Sequence, residues 1–227
     1  MKFLLLAFIG VSSFAWGYEF GEEVTDAVRK QVTTDLALLE TFTGDTASAF
    51  HKEIFGEVGG KNYLEWFNKR VTRIGMHTCG AGGNSKPVAC VIPMLGASKI
   101  WLTKFYVEAN DPMMSKMATL FHEARHAENE HGNWPHAKCP VPFKNAKGED
   151  IVSYLTGAKL EGRPACDSTP FGSYGTELIM LKNINRNCTS CTEKVRMDAG
   201  IYADFSLERF PDKDAHASLV EDLYSAE

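Results

Sequence analysis

Two histidines and a glutamate stand out in the stretch His122-Glu123-Ala124-Arg125-His126. Histidines four apart on a helix are separated by about 400° of turn and about 6 Å of rise, so both imidazoles leave the same face. Two neutral ring nitrogens so placed reach one Zn²⁺ at about 2.0–2.1 Å each. Glu123 sits about 100° further round the helix, beside the metal position without ligating it. There it is placed to take a proton from a water whose pKa the metal has lowered. The chemistry implied is attack of activated water on an amide carbonyl, with Glu123 as catalytic base and His122 and His126 as metal ligands.

The five-residue motif and the apolar stretch before it resemble the zincin metallopeptidases, over about a fifth of the chain. The resemblance implies a zinc site, two histidine ligands and a glutamate base at these positions. One residue departs from the family pattern: Arg125, between Glu123 and His126, is charged. It is expected either to be tied to a nearby carboxylate or to receive an anionic substrate. A catalytic zinc takes three protein ligands and one open position. A longer version of the metzincin return places a glycine at Gly132, then Asn133-Trp134-Pro135-His136, which makes His136 the first candidate for the third ligand. Asp167, before Gly172-Ser173-Tyr174-Gly175, loosely follows an aspzincin pattern and ranks second. Glu177, in a gluzincin-like position, ranks third. Tyr174 is read as a residue of an exposed turn, either an oxyanion donor or a packing ring. His51, His77, His131 and His216 are read as ordinary.

The elements that must hold these residues are legible from periodicity. Helices are expected over Glu22–Glu40, Lys61–Ile74, around Glu177–Leu181, over Glu193–Phe205, and in the acidic tail after Pro211. The motif helix is expected to start at Asp111-Pro112, an N-cap followed by proline, and to run from Met113 to about His131 before Gly132. A short strand is expected at Ala89–Ile92. The bulky, β-branched run Lys99–Val107 reads as the best strand and as the edge against which a peptide would pair.

At its start the chain carries Lys2, then the apolar run Phe3–Val11, then small residues up to Gly17. This is the pattern of a secretory signal peptide cut after Gly17, which places the mature chain outside the cytoplasm, secreted or periplasmic, with no stable membrane insertion afterwards. The six cysteines, Cys79, Cys90, Cys139, Cys166, Cys188 and Cys191, are then disulfide candidates, with fifteen possible pairings. Proximity favours Cys79 with Cys90 and Cys139 with Cys166. Cys188-Thr189-Ser190-Cys191 has no second such pair to complete a zinc knuckle, which favours a structural disulfide. With 44% hydrophobic and 23% charged residues the chain is not compositionally disordered, and a net charge of −5 argues against a nucleic-acid partner.

The expectation is an α+β fold, mainly helical, with a small sheet beside the motif helix. Residues 1–17 form the signal peptide, and 18–227 a single zincin-like domain whose N-terminal part, to about 75, is helical. The expected function is that of an exported zinc metallopeptidase acting on protein or peptide. The alternatives are a cell-wall amide hydrolase using the same zinc site, and a non-catalytic disulfide-bonded binding protein.

Overall fold

The computed structural model describes residues 17–80 and 87–225. The expected signal peptide, apart from Gly17, lies outside these residues, as does most of the Gly80–Gly83 loop. The fold is α+β: a four-stranded sheet and a two-stranded ribbon among eight helices in the described residues.

The sheet contains β1 (Glu19–Phe20), β2 (Arg73–Met76), β3 (Ala89–Val91) and β4 (Lys99–Leu102), in the order β1-β2-β4-β3. Strands β1, β2 and β4 run parallel, while β3 pairs antiparallel with β4, Cys90 facing Trp101. This corrects the reading of Lys99–Val107 on two counts. The strand stops at Leu102 and α4 (Phe105–Glu108) follows, turned by Thr103, whose hydroxyl accepts from Phe105 N–H. Strand β4 is also interior to the sheet, and the edge on the site's side is β3.

Helix α1 (Asp26–Glu40) starts at the Thr25 cap, later than Glu22, because the chain first turns after β1, with Val24 N–H donating to the Gly21 carbonyl at 3.1 Å. A helix that periodicity did not reveal, α2 (Ala49–Phe55), is capped by Ser48 and buries His51 and Phe55. Helix α3 (Gly60–Asn68) ends short of the expected Ile74, since Ile74 is recruited to β2 and is fully buried there. β-Branched and aliphatic residues fit both periods over so short a run, and tertiary pairing decides.

The motif helix is α5 (Met113–His126), preceded by Pro112 and without the side-chain cap expected from Asp111. It is buried on almost every side, as a central helix must be when it packs on sheet and helices together. Phe121 points away from the site into an aromatic cluster, stacked 5.6 Å from Trp66 and tilted against Phe67 at 5.5 Å. After β5 (Ala137–Lys138) and β6 (Pro164–Cys166) come α6 (Ser173–Asn187), α7 (Glu193–Leu207) and α8 (Lys213–Tyr224).

Residues 139–166 form a flap with a small core of its own, Phe143, Ile151 and Leu160 around Cys139 and Cys166. Three disulfides join Cys79–Cys90, Cys139–Cys166 and Cys188–Cys191, the pairing that proximity favours. They fit an oxidising compartment outside the cytoplasm. No helix among the described residues is long and apolar enough to cross a membrane.

Candidate metal centre

Helix α5 sets His122 and His126 one turn apart, with ring centroids separated by 5.0 Å. The third histidine arrives because the helix ends earlier than Gly132. Ala127 is its C-cap, and Asn133 seals the end by donating from Nδ2 to the His126 carbonyl at 2.8 Å. Asn133, at φ 64°, and Trp134, at φ 47°, continue the left-handed turn begun by Gly132 at φ 63°. Such a conformation costs a non-glycine residue about 1–2 kcal/mol. It folds the chain back within ten residues, so that His136 meets the two helical histidines.

Nε2 of His136 lies 3.1 Å from Nε2 of His122 and 3.1 Å from Nε2 of His126. His126 Nδ1 lies 2.8 Å from the Asn133 carbonyl, which only accepts, so Nδ1 carries the proton and Nε2 presents a lone pair. His136 Nδ1 donates to Asp167 Oδ1 at 2.9 Å, and His122 Nδ1 faces Glu177 Oε2 at 3.2 Å. With Nδ1 carrying the proton on His126 and His136, their Nε2 lone pairs converge with Nε2 of His122. A cation would satisfy such an arrangement. The donor set fits: His136 Nε2 lies 3.1 Å from each of the other two, close to the spacing of about 3.3 Å between ligands of tetrahedral zinc, and all three lie within 4.8 Å of one another. Burial, then the neighbouring rings His126 and His136, hold His122 well below its ordinary value; burial, then His136, pushes His126 down to about 4. Both are neutral near pH 7, as ligands must be.

Of the three candidates for the third position, His136 joins the cluster. Asp167 and Glu177 stand behind the ring nitrogens that face away from it. Asp167 does two things: Oδ1 holds His136, and Oδ2 accepts the Tyr174 N–H at 2.8 Å in the first turn of α6, where a negative charge is favoured. Glycine is required at two positions here, because a Cβ on Gly172 would strike the Asp167 carboxylate and one on Gly175 would strike the Pro170 carbonyl. Glu177 Oε1 accepts from Ser206 of α7 at 2.5 Å.

Glu123 is 7% exposed and borders the same cavities as the histidines. Burial raises its carboxyl to about 8, against the opposing pull of the Val91 backbone N–H in β3. Burial likewise raises Glu177 to about 8, with Ser206 and Arg209 opposing. Tyr174 is not on an exposed turn: it belongs to α6, half-buried, with its ring 4.7 Å from His136 and 4.5 Å from His122. Burial raises its phenol.

Arg125 is a brace. Its Nε donates to the Phe171 carbonyl at 2.7 Å, its Nη1 pairs with Glu128 at 2.9 Å, and its guanidinium lies over Trp134 at 4.4 Å. Glu128 also holds Arg70 at 2.8 Å and Trp134 Nε1 at 2.7 Å. The charged departure from the motif thus fastens the loop that returns His136, and it is not available to an anionic substrate. His131 points away, its side chain 53% exposed. His51 is a buried structural residue between the Gly56 carbonyl and the Tyr63 hydroxyl.

Two cavities, of about 440 and 550 Å³, lie against His122 and Glu123. They share Pro87 and Ala89 of the edge-strand region, together with Pro164 and Tyr174. The larger contains His126 and His136, and the smaller is walled by the flap at Ser153–Thr156 and by Arg163 and Arg209. Together they make a groove along β3 that passes the three histidines. Comparison with family models, with curated proteins and with solved structures found no match.

Proposed function

We propose that this chain is an exported zinc-dependent hydrolase of the zincin type, cleaving amide bonds in peptides or proteins, with Glu123 as general base. The observation that carries this reading is the convergence of three Nε2 atoms, each with a polar group facing its Nδ1 from behind, in a cavity that a buried carboxylate, Glu123, also lines. A surface trio of histidines has no reason to be fixed in this way. Hydrogen bonds to the Asn133 carbonyl and to Asp167, with the Glu177 carboxyl beside His122 Nδ1, support a fixed tautomer and ring direction, as such partners do around metal-ligating histidines generally.

His122, His126 and His136 would hold the metal, leaving one position open toward the groove. When bound, zinc supplies Lewis acidity, lowering the pKa of water and polarising a carbonyl oxygen. Glu123 takes the proton of the attacking water on its carboxylate and returns it to the departing amine. Edge strand β3 offers backbone along one side of the groove, where an extended substrate adds as a further strand. The apolar run before Gly17, together with the three disulfides, supports export by a cleaved signal peptide.

The deciding experiment measures metal content and peptide hydrolysis on the mature chain. Wild type is expected to hold one zinc per chain. His136→Ala is expected to lose it, whereas Asp167→Ala and Glu177→Ala retain a weakened site. A folded wild type without bound metal sinks the reading. A Glu123→Gln variant that keeps both zinc and activity removes the glutamate from the mechanism.

A further inference from the structure

Arg209 follows the end of α7 and is 4% exposed. Buried guanidinium groups are almost always matched by a carboxylate, because an unpaired buried charge is costly. Arg209 has no such match: among the described residues it forms no ion pair, and its side chain donates one hydrogen bond, to the Ala165 carbonyl at 3.3 Å. Glu177, on whose carboxyl it acts, is turned to His122, and Asp167 is turned to His136. The guanidinium lies over the Tyr174 ring, 4.8 Å from its centroid, and that ring touches both His122 and His136. Arg209 therefore stands one aromatic ring away from the metal centre, on the wall of the 440 Å³ cavity that also holds Glu123.

A second arginine borders the same cavity. Arg163, in the turn before β6, is exposed and forms no ion pair among the described residues. The chain as a whole is acidic, at −5, so two unmatched cations lining one cavity are a local feature and not a reflection of composition. Apolar neighbours Val88, Leu155 and Leu160 line the space between them. They lower the effective dielectric and strengthen any charge pairing made there. A guanidinium presents a planar fork that matches a carboxylate.

We propose that Arg209, with Arg163 at the mouth, is a carboxylate subsite that directs the enzyme to peptides carrying a free carboxyl group close to the cleaved bond. This rests on the hydrolase reading for its meaning, but its test does not require bond cleavage. The probe is a pair of N-acetylated tetra-alanine peptides, one ending in a free carboxylate and the other in a carboxamide. Their affinities for the full mature chain carrying Glu123→Gln are measured by calorimetry. A charge-assisted hydrogen bond of ordinary strength gives the acid an advantage of about tenfold or more. The advantage is expected to fall severalfold with Arg163→Gln, an exposed position that leaves the fold intact, to vanish with Arg209→Gln, and to survive in part with Arg209→Lys. Equal affinities, failure of both peptides to bind, or an advantage unchanged in the arginine variants (a carboxylate held by the metal alone) overturns the proposal. Selective binding of the acid without hydrolysis of any peptide by the wild type would sink the hydrolase reading and leave the subsite standing. Equal hydrolysis of acid and amide, with equal binding, would do the reverse.

Discussion

At the scale of single residues, the site divides into groups that face the histidine cluster and groups that stand behind it. Glu123→Gln removes the proton acceptor and leaves the histidines untouched. It is expected to lower kcat by at least about 10²-fold with zinc content unchanged, checked by kinetics alongside metal analysis. Asp167→Asn weakens the hold on His136 Nδ1 and is expected to lower zinc affinity by about 10–100-fold, measured by competition with a chelator. Affinity equal to wild type would contradict the role given to Asp167. Much of this layer is legible from sequence. His122, Glu123 and His126 follow from spacing, and His136 from a glycine turn with a rigid Trp-Pro behind it. Asp167 and Glu177 were legible as donors of the right chemistry but not in their place, because sequence does not tell which side of an imidazole a carboxylate will meet. Arg209 carried no signal at all, since its neighbours Glu208 and Phe210 resemble any helix end.

At the scale of elements, the ribbon of β5 and β6 explains how distant residues become neighbours. Ala137 pairs with Cys166, so the residue before one and the residue after the other, His136 and Asp167, are brought together. The Cys139–Cys166 disulfide staples the same ribbon. Replacing both cysteines with serine frees a loop of separation 27 and is expected to cost about 3.5 kcal/mol by loop entropy. Zinc affinity should fall with it, because the ribbon sets the His136–Asp167 bond. Denaturant unfolding and metal competition on the same variant check both effects, and a stability loss with unchanged zinc affinity would show that the ribbon holds its register without the staple. Strand β6 lay hidden in a proline-rich stretch, and two-residue strands such as β1 and β5 carry no period to detect. The polar pattern that Glu128 and Glu130 continue suggests a motif helix longer than the real one, which Asn133 closes at His126 through a contact seven residues away. The edge strand escapes the sequence pattern for a related reason: a run of bulky residues marks burial, and burial belongs to the interior strand β4 more than to the edge strand β3.

At the scale of the whole molecule, two sets of buried groups pull stability in opposite directions with pH when no metal is bound. His51 and His126 are held near 4 by burial and His122 is held well below 6.5, so the unfolded chain binds more histidine protons below that ordinary value of 6.5. Their contribution is present above 6.5 and is lost as pH falls toward 4. Glu123 and Glu177 are raised from 4.5 to about 8 by burial, so the folded chain binds more carboxyl protons. Their contribution is present below 4.5 and is lost as pH rises through 8. Between 6.5 and 8 only the carboxylates act, and the Tm of metal-free protein is expected to decline across that interval. Zinc should abolish the decline, since a cation favours the ionised acids. Melting curves at pH 5–9 with and without zinc test this, and a metal-free Tm that rises from 6.5 to 8 would refute it. The disulfides impose a different order on the molecule. Cys79 joins Cys90, Cys139 joins Cys166 and Cys188 joins Cys191, so each bridge closes before the next begins and none encloses another. A chain threaded through a membrane from its N-terminus, and oxidised as each cysteine emerges, meets its correct partner every time. Of the fifteen pairings open to six cysteines, this is the one that vectorial oxidation produces without a disulfide isomerase.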